Sequence, residues 1–113
     1  MIIYRVEHKK EPLRGRPFEG PMSNITNHWY SLPPPNSMKP TEVCGCSSKR
    51  SFFKWWRKPD IPLIESTKDY HIVVLSVPKE KVKRHMHNLQ VTFPRDSAKI
   101  IGNLSSTGRI TYT

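Results

Sequence analysis

Hydrophobic and polar positions alternate with a clear period only in the second half of the chain. "DYHIVVLSV", residues 69–77, is a β-rich apolar run that stops at Pro78 and predicts a buried strand. "PKEKVKRHMHN" follows, with Pro78 suited to a helix first turn and Asn88 to a stop. Val82, Met86 and Leu89 recur at i, i+4 and i+7, one apolar helix stripe, with Lys79, Lys81, Lys83 and Arg84 mainly on the other faces. In "LQVTF", Leu89, Val91 and Phe93 alternate with Gln90 and Thr92, which predicts a half-buried strand. Ile100 and Ile101 open a further apolar patch, "SSTG" turns the chain, and "RITYT" alternates once more through Ile110 and Tyr112. Residues 63–113 thus predict a small α+β unit ordered strand, helix, strand, strand, with one helix on a sheet.

Residues 1–62 lack such periodicity. They hold nine of the eleven prolines, which interrupt helices and remove ladder donors from strands. "SLPPPNSMKP" favours polyproline II, and its triplet reads as a spacer more readily than as a ligand for Pro-binding domains. The expectation is a long, extended, Pro-rich basic arm with little regular structure, ordered by lying on something else. Six aromatic residues between Trp29 and Trp56 set it apart from an ordinary disordered linker.

Composition adds the partner class. A formal charge of +10 on 113 residues points to a polyanion: nucleic acid, an anionic membrane or an acidic protein lattice. The charge densest in aromatics is "KRSFFKWWRK". There Lys49, Arg50, Lys54, Arg57 and Lys58 alternate with Phe52, Phe53, Trp55 and Trp56 as candidate polyanion- or partner-binding residues. Cations would neutralise anionic groups while rings insert or stack. The packing alternative places Phe52, Phe53 and Trp56 on one helical side, inside the protein, with only the basic side solvated.

Cys44 and Cys46 lie one residue apart, too close to bridge comfortably, and predict a reducing, intracellular and cytoplasmic setting. Beside a basic segment they are candidate S-acylation sites, which makes an anchored peripheral membrane protein the alternative to an assembly subunit. The basic-aromatic segment is similar in composition to the effector region of the MARCKS family, although it has tryptophans and fewer cations. That resemblance implies lipid or calmodulin binding, and Ser51 becomes a candidate phosphorylation switch. Cys44, Cys46, His85 and His87 could form a zinc set, but neither C-x-C nor H-x-H has the usual ligand spacing, so no metal or other cofactor is expected. The nine acids form no paired-carboxylate motif, and no glycine loop is arranged to cradle phosphate. These features predict a non-enzymatic, basic structural subunit of a ribonucleoprotein or cytoskeletal filament.

Overall fold

The structure, a computed structural model, describes residues 1–10, 41–56, 64, 66, 69–84 and 90–113. Among them the strands are β1 (Ile2–His8), β2 (Glu42–Gly45), β3 (Tyr70–Ser76), β4 (Lys83–Arg84), β5 (Val91–Pro94), β6 (Lys99–Leu104) and β7 (Ile110–Tyr112). A short helix, α1 (Lys49–Trp55), follows β2, Ile64 and Ser66 are also helical, and 3-10 turns occupy Lys79–Lys81 and Arg95–Ser97. All the strand pairings are antiparallel. A four-stranded sheet runs β1-β3-β6-β7 and a three-stranded sheet runs β2-β5-β4. Tyr4 and Cys46 exchange backbone hydrogen bonds of 2.8 and 2.9 Å, which tie the outer edge of β1 to the end of β2.

The continuous apolar run of β3 has a structural reason. Successive side chains of a strand point to opposite faces, and both faces of this sheet are covered. Tyr70, Ile72 and Val74 join Tyr4, Val6 and Leu104 in one cluster, under Phe52 of α1, its C-cap Trp56, and Ile64. Val73 and Leu75, with Val77 beyond the strand end and Ile3 of β1, join a second cluster with Val43, Val91 and Phe93 of the small sheet. The larger sheet is therefore the middle layer, and its central strand reads as apolar throughout, as doubly covered strands do. Gly45 sits where the layers come closest: a Cβ there would lie 2.5 Å from Ile3 Cγ2 and 2.9 Å from the Tyr4 carbonyl oxygen.

The fold is a small, mainly antiparallel β domain, and this corrects the α+β expectation in two places. After Pro78 the chain makes only a three-residue 3-10 turn. Val82 is already extended, at φ −93° and ψ 126°, and leads into β4. Lys79 and Lys83 would repel at i, i+4 on a helix. In the strand, the chain instead gains ladder bonds to β5 and packs Val82 against the second cluster. Tertiary pairing outweighs the weak preference of a short charged stretch. Met86 and Leu89, the rest of the expected stripe, lie outside the described residues.

The second correction concerns the arm expected to have little regular structure. β1 pairs over its whole length with β3, from Ile2↔Ser76 to His8↔Tyr70, while β2 and α1 also belong to the layers. β1 escapes hydropathy because Arg5 and Glu7 interrupt it, yet both are buried and satisfy one another. Residues 11–40, including the polyproline stretch, lie outside the described residues. The strands expected at 69–77, at 89–93 and in "RITYT" are present as β3, β5 and β7. The short β5 is buried along Val91, Thr92 and Phe93, on both faces rather than one.

Candidate polyanion-binding surface

The basic-aromatic segment forms α1 because Ser48 caps it. The Ser48 hydroxyl oxygen accepts from the Ser51 N–H at 3.1 Å, and Ser48 Oγ also donates to Ser51 Oγ at 3.0 Å. The candidate switch hydroxyl of Ser51 is thus part of the cap. Phe52 is 1% exposed and Trp56 5%, both within the first cluster. Phe53 is half-buried and meets Phe52 edge to face at 5.5 Å between centroids. Lys49, Arg50 and Lys54 stand exposed on the same helix. The Trp55 side chain, Arg57 and Lys58 lie outside the described residues. The segment therefore divides by chemistry: Phe52 and Trp56 hold the helix down and the three cations remain outside.

Cys44 and Cys46 are both buried, at 3% and 1% exposure. Burial, with the neighbouring Cys44, pushes the Cys46 thiol up to about 12, so its nucleophilic thiolate is strongly disfavoured. S-acylation of either sulfur would require the fold to open. No group of three or more metal-ligating side chains occurs among the described residues, and His85 and His87 lie outside them.

Sequence reasoning missed a charge cluster whose members are far apart in the chain. Arg95 grips Glu7 with both sides of its guanidinium, Nε to Oε2 and Nη2 to Oε1, each at 2.8 Å. Arg5 Nε donates to the same Oε2 at 3.0 Å, and its Nη1 donates to the Cys44 carbonyl at 2.9 Å. Burial alone would raise the Glu7 pKa; hydrogen bonds and charge from Arg95 and Arg5 outweigh it and hold the carboxyl below its usual value. With three donors on its two oxygens, this carboxylate is a structural tie between β1 and the small sheet, poorly placed to act as a base. His71, opposite Glu7 in the β1–β3 register, is kept neutral more strongly than an exposed histidine. Its burial is the main cause; Glu7 opposes the shift, and Lys9, Arg95 and His8 add to it.

A protein-family model described as Bacteriophage T4 Y00F protein matches residues 1–107. The chain belongs to that family. The match spans β1 through β6 and ends within the β6–β7 turn, so it covers nearly all of the layered structure. No curated protein and no solved structure matches the chain. Among the described residues no helix is long and apolar enough to cross a membrane.

The surface of this family member is strongly one-signed. Among the described residues eleven lysines and arginines are exposed against three acids, Asp69, Glu80 and Asp96. Burying Glu7 and Glu42 removes two further negative charges from the surface. Lys79, Lys81, Lys83 and Arg84 extend along the edge of the small sheet, with Lys83 Nζ 3.6 Å from Glu42 Oε2. Thr41, Glu42, Glu80, Lys81, Lys83 and Pro94 line a cleft of about 290 Å³ beside that edge.

Proposed function

We propose that the protein is a non-enzymatic interaction subunit that docks by charge on an acidic macromolecular surface, either RNA or an acidic protein lattice. The observation that carries this reading is the eleven-to-three excess of exposed cations among the described residues, with Lys49, Arg50 and Lys54 presented together on α1. Phe52 and Trp56 are spent on the core, so the roughly 1–3 kcal/mol per base that stacking contributes is not offered by those two rings. The membrane-anchored alternative draws less support, because the sulfurs it needs are enclosed.

The test is a fluorescence titration against a single-stranded RNA and against polyglutamate across a salt series. If about five phosphates are neutralised, the log–log salt slope for RNA is near −3.5. Lys49→Glu/Arg50→Glu/Lys54→Glu removes three contacts and should flatten that slope by about two. Absence of binding to both polyanions at low salt would overturn the reading, as would binding indifferent to the triple charge reversal.

A further inference from the structure

Two sheets have four outer edges, and three of them are bridged or guarded. The edges of β1 and β2 meet at the Tyr4–Cys46 bridge. β4 is two residues long and carries Lys83 and Arg84, the kind of cationic edge that resists pairing. β7 differs. Ile110, Thr111, Tyr112 and Thr113 carry no charge, the last three are exposed, and Tyr112 is 68% exposed.

The ladder fixes which backbone groups of β7 are open. Ser105 N–H donates to the Arg109 carbonyl at 2.9 Å, and Thr113 N–H donates to the Ile101 carbonyl at 3.0 Å. With Thr111 opposite Asn103, residues 109, 111 and 113 therefore turn their N–H and C=O groups toward β6. By the same parity Ile110 and Tyr112 turn theirs outward. Across the sheet Tyr112 continues the row Tyr4–Val74–Gly102, and Ile110 continues the row Val6–Ile72–Leu104. Those rows form the face covered by α1, and they end at β7 on an exposed ring and a half-buried isoleucine.

We propose that β7 pairs antiparallel with β7 of a second copy of this chain, about a two-fold axis at Thr111. This edge is self-complementary. Ile110 of each copy faces Tyr112 of the other and exchanges both outward hydrogen bonds with it. The two Thr111 side chains meet on the opposite face, and each Tyr112 ring covers the other copy's Ile110. A neutral edge matters here because each chain carries +10, and a cationic edge would repel its own copy. The inference is independent of the polyanion reading, and salt separates them. Added salt screens repulsion between two cationic chains and strengthens the dimer, whereas it weakens polyanion binding.

Sedimentation equilibrium of the full chain tests this across protein and salt concentration. The mass should rise from 13.2 kDa toward twice that value, and further at higher salt. Tyr112→Pro deletes an outward N–H that the monomer's ladder does not use, so its melting transition should persist while association falls by about tenfold or more. Tyr112→Phe should associate like the parent. If Tyr112→Pro fails to fold, Thr111→Lys keeps every donor and sets like charges across the axis, and it must weaken association in the same way. A wild-type mass fixed at one chain under all conditions overturns the proposal. So does a folded Tyr112→Pro or Thr111→Lys protein that associates unchanged.

Discussion

Glu7→Gln is the most informative single perturbation of this fold. Glu7 accepts three charge-assisted hydrogen bonds, at 2.8, 2.8 and 3.0 Å, from two guanidinium groups. The Arg5 side chain is only 2% exposed and has no water to fall back on. Glutamine retains the shape but turns an NH₂ toward a guanidinium and removes the carboxylate charge that both arginines share. Removing one partner of a buried ion pair costs about 3–5 kcal/mol, a large part of the roughly 5–15 kcal/mol that a small domain has in total. With a urea m-value of about 2 kcal/mol/M, the midpoint should fall by roughly 2 M with m unchanged. A shift below about 0.5 M would refute the view that this cluster holds the sheets together. Arg5→Met/Glu7→Leu/Arg95→Met should cost less than Glu7→Gln, because it removes the stranded charges along with their partner. The pH dependence has a definite sign. A carboxyl lowered in the folded state contributes stability that is complete above its ordinary pKa of 4.5 and is lost as pH falls through the folded value.

Phe52→Ala should cost about 3–5 kcal/mol in a thermal or urea melt, whereas Lys54→Ala on the exposed side of α1 should stay within about 0.5 kcal/mol. Gly45→Ala forces a Cβ against the Tyr4 carbonyl and Ile3, so it should lower stability by about 1–3 kcal/mol, read from the melting midpoint. Cys46 should react with a disulfide reagent at neutral pH only as fast as the protein unfolds. Because its thiol is raised from 9.0 to about 12, its contribution to stability is present below pH 9 and declines as pH climbs toward 12.

How much of this was readable in the sequence depended on whether an element's partners lie nearby. β3 announced itself because both its faces are apolar, and "SSTG" announced a turn because Gly108 adopts φ +85° there. β1 was hidden. Its Arg5 and Glu7 look solvent-facing until Arg95, 88 residues away, is placed beside Glu7. The expected helix after Pro78 rested on Val82, Met86 and Leu89 alone, and the competing pull of β5 has no local signature. In α1 the amphipathic spacing of Phe52, Phe53 and Trp56 was legible, and so was the packing alternative. Which of these rings serves the interior was decided by the sheet beneath them.

The pairing of β1 with β3 also sets the order in which a nascent chain can mature. The first strand waits for residues 70–76, and its charged tie waits for Arg95. During that interval the apolar start "MIIY" and the β3-facing edge of β1 lack their partner strand. Synthesis at about 5–20 residues per second therefore leaves this segment open for several seconds. The domain should collapse late and nearly all at once, only after residue 95 has left the ribosome.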